Sequence, residues 1–171
     1  MRGNVRPPAR HDLDRGSSPK PPLSAVRTLL LAAVLLCAAC AEAPPQPQDT
    51  ARRETVLETA LGQIGRPYRY GGGDGDGFDC SGLVQFVFEQ AGVQLPRTAA
   101  RQHDDGRRIP LTAAAPGDLV FFRIDGALHV AVYIGNGRFV HAPASGRDVM
   151  ISALDAPFWQ DHFVDAVRIL R

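Results

Sequence analysis

Apolar side chains repeat at helical spacing in the first part of the folded region and at strand spacing in its second part. The first repeat predicts a helix over residues 51–64, which ends at Gly65 and Pro67. The second repeat predicts a helix that begins after Asp79 and ends at Gly92. The apolar stripes consist of Leu57, Leu61 and Ile64 in the first helix and of Leu83, Val84, Val87 and Phe88 in the second.

The second half of the chain contains short apolar segments separated by glycine and proline, a pattern typical of β-strands. They follow a turn at residues 95–98, which predicts a short helix up to about His103. The predicted strands cover residues 119–123, 129–134, 138–142, 149–151 and 164–170. Helices followed by a run of antiparallel strands indicate an α+β fold, with N-terminal helices packed on an antiparallel β-sheet.

The N-terminal part differs in composition from the rest of the chain. Residues 1–27 are rich in proline, arginine and serine without apolar periodicity, so we expect this stretch not to fold. The apolar run at residues 28–41 is too short to span a bilayer as a helix and fits the core of an export signal. We therefore predict a disordered basic preface plus signal peptide over residues 1–40, a proline-rich spacer over residues 41–50 and one folded domain over residues 51–171.

A cysteine at the end of the apolar run is a candidate lipidation site. Ala38, Ala39 and Cys40 resemble the bacterial lipoprotein signal, in which the cysteine is lipidated and becomes the first residue of the mature chain. Cys37 stands where that pattern usually has leucine, and an ordinary signal peptide cut after Ala39 or Ala41 is the alternative. The lipoprotein hypothesis predicts an exported protein bound to a membrane through its lipid anchor. Ala41 in place of an aspartate favours the periplasmic face of the outer membrane.

Basic side chains are concentrated before the folded domain. Residues 1–40 hold six of the 19 Lys and Arg residues and two of the 18 Asp and Glu residues, so the remainder has a small excess of acidic groups. A mildly acidic domain lacks the basic face that nucleic acid requires, and we expect no nucleic-acid partner.

Because signal peptides normally begin with a short basic segment, an alternative hypothesis places the true translation start near Val26.

Cys80 lies outside the signal segment, in the first turn of the second predicted helix. Unpaired backbone N–H groups and the positive end of the helix dipole favour a thiolate there. With Cys37 and Cys40 assigned to the signal, Cys80 has no disulfide partner, which is unusual for an exported protein. A catalytic nucleophile explains a free thiol at this place, and a buried structural cysteine is the alternative.

Gly135, Asn136 and Gly137 predict a hairpin turn between two of the strands. His129 and His141 flank this turn and are candidates for a general base and for the group that orients it. A two-residue loop would pair Val132 with His141 and would place His129 and His141 on opposite faces of the sheet. A three-residue loop with Gly137 in the left-handed conformation pairs Ala131 with His141, so that both histidines share a face. Cysteine chemistry that uses both histidines therefore predicts the three-residue register.

The other reactive side chains have simpler interpretations. His11 lies in the basic preface, His103 is expected on a solvated surface, and His162 is expected to pack among aromatic residues. A zinc site formed by Cys80 and the two hairpin histidines is an alternative, although it lacks close paired-ligand spacing. Asp74 and Asp76 alternate in a glycine-rich loop at residues 66–77, but the following positions do not continue a calcium-binding pattern. We expect no metal and no organic cofactor.

Six sequence blocks together resemble the NlpC-type cysteine peptidases, bacterial cell-wall hydrolases with a pared-down papain-like fold. The blocks occur in the order of that family with similar spacing, and they cover essentially all of residues 51–171. They are Pro-Tyr-Arg-Tyr-Gly-Gly at 67–72, Asp-Cys-Ser-Gly-Leu-Val at 79–84, Leu-Pro-Arg-Thr at 95–98, Pro-Gly-Asp-Leu-Val-Phe-Phe at 116–122, His-Val-Ala-Val-Tyr-Ile-Gly at 129–135 and Phe-Val-His-Ala at 139–142.

The resemblance implies a role for each residue that matches a functional position of the family. The implied roles are Cys80 as nucleophile, His129 as general base, His141 as the third polar residue, Tyr68 as a residue lining the site near the oxyanion, and Asp79 and Ser81 as residues that help to position the substrate. All the catalytic positions of the family carry the expected residue types, so the resemblance implies an active enzyme.

The implied reaction is hydrolysis of an amide bond in the stem peptide or the cross-link of peptidoglycan by a Cys-His-His thiolate mechanism. We expect a monomer that acts on peptidoglycan stem peptides. Both the D-glutamyl–diaminopimelate bond and the diaminopimelate–D-alanine cross-link are open as targets. Two alternative functions are an acyltransferase on the same fold and a non-catalytic wall-binding adaptor.

Overall fold

A computed structural model describes residues 47–170. The predicted preface, the signal segment with Cys40 and the first part of the spacer lie outside the described residues. The elements are helix α1 (Pro47–Gly62), strands β1 (Gly73–Asp74) and β2 (Gly77–Phe78), helices α2 (Cys80–Gln90) and α3 (Ala99–Asp105), strand β3 (Arg107–Ile109), a 3₁₀ turn (Leu111–Ala113), strands β4 (Leu119–Ile124), β5 (Ala127–Gly135), β6 (Arg138–His141) and β7 (Met150–Ala153), helix α4 (Pro157–His162) and strand β8 (Phe163–Arg168). None of the helices in this part of the chain has the length and apolar content needed to span a membrane.

Six strands form one antiparallel sheet in the order β3-β8-β4-β5-β6-β7. Strands β4 to β7 are neighbours in sequence and in space, as short hairpin-like connections favour. Strand β8 returns to the other side of β4, and β3 pairs with β8 at the edge. Helices α1, α2 and α3 all precede this sheet in the chain. The predicted α+β class is therefore confirmed.

Apolar side chains on the two faces of the sheet form two cores, because successive side chains of a strand point to opposite faces. The core beneath α1 and α2 includes Leu119, Phe121, Val130, Val132, Val140 and Val167 from the sheet. The core on the other face includes Val120, Phe122, Ala131, Phe139 and Ala166, with Trp159 of α4 packed against it. The four apolar residues predicted as the stripe of α2 are all fully buried in the first core.

Helix α1 begins at Pro47, within the range predicted as the spacer. Its buried side chains are Val56 and Ala60, whereas Leu61 and Ile64 are 43% and 44% exposed. The helix itself was predicted, but the predicted apolar stripe is wrong. Val56 and Ala60 stand four residues apart on one face, and the small Ala60 side chain allows the helix to approach the core closely.

Five short elements were not predicted, namely β1, β2, β3, the 3₁₀ turn and α4. Each spans six residues or fewer, which is too short for a hydrophobic period to become visible. Strands β1 and β2 form a small antiparallel ribbon within the glycine-rich loop. Strand β3 depends on its pairing with β8, a partner more than fifty residues away in the chain.

A buried ionic cluster joins α1 to the sheet. The Asp118 side chain is fully buried and accepts hydrogen bonds from Arg53 of α1 at 3.0 Å and from Arg168 of β8 at 2.8 Å. Arg53 also donates to the carbonyl oxygen of Leu170 at 2.9 Å. These guanidinium groups replace the water that the carboxylate loses on burial, so the cluster holds the first helix against the last strand.

Candidate active site

Cys80 is the first residue of helix α2, so its thiol lies at the helix start. Asp79 is the N-cap, and its carboxylate accepts a hydrogen bond from the backbone N–H of Gly82 at 2.7 Å. This bond satisfies one of the N–H groups that lack a partner in the first helical turn, which confirms the predicted cap. Cys80 is partly buried and packs against the core beneath the helix. The helix and the core together fix the position of the thiol.

Asp79 is also held by a residue that sequence reasoning did not assign to the site. Arg97 donates to its two carboxylate oxygens at 2.9 and 2.7 Å, and the Ser81 hydroxyl and the Gly71 N–H donate at 3.2 and 3.0 Å. Burial acts to raise the pKa of Asp79, but hydrogen bonds from Arg97 and Gly82 outweigh it and hold the pKa below its usual value. Asp79 is therefore a charged carboxylate to which Arg97, Ser81 and backbone N–H groups of the site donate hydrogen bonds. Its role toward substrate stays a prediction.

The glycine-rich loop lies directly against the start of α2. Any side chain at Gly82 would collide with the carbonyl oxygen of Gly72. The same carbonyl oxygen accepts hydrogen bonds from the N–H of Asp79 and from Arg97, each at 3.1 Å. This close approach requires glycine at position 82 and holds the loop against the helix that carries the thiol.

The protonation of Cys80 differs from the expectation for a helix start. Burial raises the pKa of the thiol, and the negative charge of Asp79 raises it further. The backbone N–H groups of Val130, Ser81 and Cys80 act in the opposite direction without compensating. The expectation of a lowered pKa is therefore wrong, because burial outweighs the helix terminus. The thiol is the resting form, and nucleophilic chemistry needs a base to remove its proton.

The β5–β6 hairpin has the register that brings both histidines to one face. The paired residues are Val132 with Val140, Tyr133 with Phe139 and Gly135 with Arg138. The first two pairs belong to the predicted three-residue register, in which His129 and His141 lie on the same face of the sheet. The register prediction is confirmed.

The turn reaches that register in a different way from the one predicted. Asn136 and Gly137 have φ angles of 51° and 68°, which are those of a two-residue turn with both central residues in the left-handed region. The register shifts between Tyr133 and Gly135, where Ile134 forms a bulge in β5. The predicted three-residue loop is wrong in form, because a two-residue turn plus one bulged residue gives the same pairing.

The two histidines are linked by a hydrogen bond inside the protein. The Nε2 atom of His129 lies 2.9 Å from Nδ1 of His141, and Nε2 of His141 lies 3.0 Å from Oγ of Ser152. His129 is 7% exposed and His141 is 1% exposed. Because Nε2 of His129 is engaged, Nδ1 is the ring nitrogen available to a thiol. His129 directly precedes Val130, whose backbone N–H is a hydrogen-bond donor to Cys80, so the thiol lies close to the peptide group that joins these two residues.

Both histidines are neutral at neutral pH because they are buried. Burial lowers the pKa of His129 to about 4. Burial, together with the charges of His129 and Arg147, lowers the pKa of His141 to about 3. A neutral His129 has a free lone pair on one ring nitrogen, which is the state that a general base requires.

Aromatic rings enclose the histidine pair. Trp159 stacks on His129 at a centroid distance of 5.8 Å and meets the ring of His141 edge-on at 4.9 Å. Phe139 contacts His141 at 5.1 Å, and Phe122 lies 6.3 Å from His129. Sequence reasoning missed Trp159, which comes from the unpredicted helix α4. The aromatic-rich segment around Trp159 is visible in the sequence, but it does not indicate which residues Trp159 packs against.

We expect the folded protein to lose stability as the pH falls from about 6.5 to about 4. In this range the unfolded chain binds protons at His129 and His141, whose ordinary pKa is 6.5, while the folded protein keeps both neutral. Folding stability therefore decreases as the pH falls through this window, by roughly 3 kcal/mol for His129 alone. Urea unfolding at pH 7 and pH 4.5 measures the change in the free energy of unfolding.

His141→Asn is the test variant for this pH dependence, and His162→Asn is its matched control. Removing His141 takes away one of the two buried groups, so the variant should lose clearly less stability than the wild type between pH 7 and pH 4.5. Replacing His162, which lies outside the pair, should leave the pH dependence unchanged. Parallel losses in wild type and His141→Asn would contradict the assignment of a buried neutral pair.

Tyr68 lies close to the nucleophile. Burial raises the pKa of its hydroxyl, and the charges of Cys80 and Asp79 raise it further. Its backbone N–H donates to the carbonyl oxygen of Arg147 at 2.9 Å, which ties the glycine-rich loop to the segment after β6. Tyr68 is therefore part of the site, and its role toward the oxyanion stays a prediction.

Two further histidines lie away from this cluster. His103 was expected on the surface, but it is only 9% exposed and its Nε2 lies 2.8 Å from a carboxylate oxygen of Asp165. The surface prediction is wrong, because the His103 ring packs edge-on against Phe121 of β4 and has Asp165 of β8 as its hydrogen-bond partner. His162 stacks on Phe158 at 4.3 Å, as expected for packing. Among residues 47–170, no three His, Cys, Asp or Glu side chains form a group that could hold a metal ion.

Comparison with known families decides the assignment of the fold and its motifs. Residues 65–168 match the NlpC/P60 family. This chain belongs to the NlpC/P60 family. The resemblance found in the six sequence blocks is therefore confirmed, and so is the papain-like α+β architecture that it implied.

Named NlpC/P60 relatives show how much of the chain is shared. Murein DD-endopeptidase MepH of Escherichia coli K12 is 40% identical over 124 residues, which is 68% of this chain but 46% of MepH. Probable endopeptidase NlpC of the same organism is 39% identical over 151 residues, which is 82% of this chain and 97% of that protein. The crystal structure of an NLP/P60 family protein from Staphylococcus aureus Mu50, described as similar to lipoprotein, superposes with a TM-score of 0.68 at 33% identity, over 80% of this chain and 48% of that one.

Proposed function

We propose that this NlpC/P60 protein is a peptidoglycan endopeptidase that hydrolyses an amide bond in the stem peptide or the cross-link by a cysteine mechanism. The observation that carries the proposal is the buried, hydrogen-bonded pair of His129 and His141, together with the Cys80 thiol at a helix start close to the backbone N–H of Val130, the residue after His129. The names of the relatives support the substrate class, since MepH is named a murein DD-endopeptidase and CwlT of Bacillus subtilis a bifunctional muramidase/DL-endopeptidase.

The first half of the proposed reaction forms a thioester. His129 takes the proton of the Cys80 thiol at Nδ1 while the sulfur attacks the carbonyl carbon of the amide. The resulting oxyanion is stabilised by the backbone N–H groups and the positive dipole end at the start of α2, with Tyr68 nearby. The imidazolium of His129 then gives its proton to the nitrogen of the leaving amine, and the carbon–nitrogen bond breaks.

The second half releases the acyl group with water. His129 is neutral again and removes a proton from a water molecule, whose oxygen attacks the thioester carbon. The carbon–sulfur bond breaks, the thiolate recovers the proton from His129, and a carboxylic acid leaves. His141 accepts a hydrogen bond from Nε2–H of His129 during both halves, which orients the ring and stabilises its charged form. These residues complete the reaction without a metal or an organic cofactor.

Mass spectrometry of products from defined muropeptides tests this function and identifies the bond. The purified protein should release two peptide fragments, one with a new carboxylate and one with a new amine, whose masses together exceed that of the substrate by one water molecule. Products that carry an added amine or lipid instead would show acyl transfer. Binding to murein without any product would show a wall-binding adaptor, and either of these results would overturn the proposed hydrolysis.

We also propose that the folded domain is attached to a membrane through lipidated Cys40, with the proline-rich stretch as a spacer. The apolar run that ends in Ala-Ala-Cys supports this proposal. A diacyl group on the cysteine together with an acyl chain on its new N-terminus exceeds the two signals needed for stable anchoring. Since Ala41 follows in place of an aspartate, we propose the periplasmic face of the outer membrane as the location.

Replacing Cys40 by alanine should release the protein from the membrane. Because the lipid chains supply the membrane affinity, the Cys40→Ala variant should move from the membrane fraction to the soluble periplasmic fraction. Cell fractionation and immunoblotting measure the distribution, and Cys37→Ala is the matched control that should keep the protein on the membrane. A wild-type protein found in the soluble fraction would refute lipidation. Cys37→Leu would then test whether Cys37, at the third position before Cys40, prevents it.

A further inference from the structure

Ser152, which lies outside all six motif blocks, completes a chain of hydrogen bonds that runs from His129 through His141. Strand β7 pairs with β6 so that Met150 lies opposite His141 and Ser152 lies opposite Phe139. Alternate residues of a strand point to the same face, so Ser152 is the diagonal neighbour of His141. Its Oγ lies 3.0 Å from Nε2 of His141, on the side of that ring opposite His129.

We propose that Ser152 is a positioning residue that holds His141 in the tautomer with its proton on Nε2, and thereby keeps Nδ1 of His129 free to act as a base. This inference rests on the proposed function above. It assigns Ser152 a role in fixing the position of a proton, because its hydroxyl is hydrogen-bonded to His141.

The tautomers of the two rings are coupled because they share one hydrogen bond. A neutral imidazole has one N–H, so the bond between His129 and His141 can run in only two directions. If Nε2–H of His129 donates, its Nδ1 is a free base and His141 must carry its own proton on Nε2. If Nδ1–H of His141 donates instead, His129 carries its proton on Nδ1 and cannot accept one from Cys80.

The productive direction needs an acceptor at Nε2 of His141, and Ser152 Oγ is the acceptor that the structure places there. His141 is 1% exposed, so an unpaired N–H at this position would be costly. When His129 takes the proton of the thiol, its Nε2–H must donate to His141, which makes the same acceptor necessary throughout the reaction. Loss of the hydroxyl should therefore penalise the charged intermediate and favour the unproductive tautomer.

The matched variants are Ser152→Thr and Ser152→Val, which have nearly the same shape and differ in the hydroxyl. We expect Ser152→Thr to keep kcat close to the wild-type value. Ser152→Val should lower kcat about tenfold with KM little changed, because a buried hydrogen bond is lost while substrate contacts remain. Equal kcat values in the Thr and Val variants, whether high or low, would overturn the role of the hydroxyl. Ser152→Ala, compared with the wild type, removes the hydroxyl without adding bulk and should also lower kcat.

Long-range ¹H–¹⁵N NMR correlations of the imidazole rings give a second readout that does not depend on activity. Wild type and Ser152→Thr should show His141 with its proton on Nε2, whereas Ser152→Val should shift it toward Nδ1. An unchanged tautomer in Ser152→Val would overturn the inference. Recording the same spectra for Ser152→Thr and Ser152→Val in a Cys80→Ala background separates this question from the proposed function. A His141 tautomer that differs between these two proteins supports the positioning role whichever activity the wild type has.

Discussion

Replacing Cys80 by alanine is expected to abolish hydrolysis of peptidoglycan while the protein stays folded. The alanine removes the atom that forms the thioester, and a nucleophile that acts as a unit with its base typically accounts for a factor of about ten thousand or more in kcat. Cys80→Ser should be similarly inactive, because a serine hydroxyl is a weaker nucleophile than a thiol and gives up its proton much less readily. Release of soluble muropeptides, followed by chromatography, measures both variants.

Stability measurements separate loss of the nucleophile from loss of the fold. Cys80 is partly buried at the first residue of α2, where alanine leaves the Asp79 cap and the core beneath the helix in place. The unfolding midpoint of Cys80→Ala in urea should therefore lie close to that of the wild type. Hydrolysis by the purified alanine variant at the wild-type rate would refute the assignment of the nucleophile.

The start of α2 could be predicted because its information is local. The cap Asp79, the thiol and the apolar stripe up to Phe88 occur within ten residues, and helix periodicity alone places them relative to one another. The pKa of Cys80 could not be predicted in the same way. It depends on burial and on a contact with Val130, which is fifty residues away in the chain.

The hairpin shows what chemical reasoning adds to pattern reasoning. Glycine and asparagine in the turn allow two registers, and the requirement that His129 and His141 meet selected the one observed. The bulge at Ile134 could not be predicted, because nothing in an alternating apolar strand marks which residue leaves the ladder. The chemical requirement therefore predicted the correct pairing of β5 with β6, whereas the form of the turn became visible only in the structure.

Residues that support the site from a distance were missed for a common reason. Arg97, Ser152 and Trp159 each act through a partner that lies far away in the sequence, namely Asp79 or the histidine pair. Each sits in or beside a short element whose placement depends on the loop before it rather than on periodicity. Their residue types are ordinary for a turn, a strand and a helix, so the sequence contains no local signal of their role.

Replacing His129 by glutamine is expected to leave almost no activity, whereas His141→Gln should keep a measurable rate. His129 transfers protons in both halves of the proposed reaction, and general acid–base catalysis of this kind contributes roughly a hundredfold to ten-thousandfold. His141 accepts one hydrogen bond from the charged ring of His129, and losing such a bond costs about tenfold to a hundredfold. The glutamine oxygen at position 141 can still accept a hydrogen bond from Nε2–H of His129, which preserves part of this effect.

Single-turnover rates on a defined muropeptide, measured with both variants and the wild type, test this division of roles. His141→Leu is the matched control, since it fills a similar space without an acceptor and should be less active than His141→Gln. Urea unfolding at pH 7 shows whether each variant is folded, because all of them change a buried position next to Trp159. Equal and complete loss in His129→Gln and His141→Gln would argue against a base with a separate orienting group. It would favour instead a shared role for the two rings in the proton transfers.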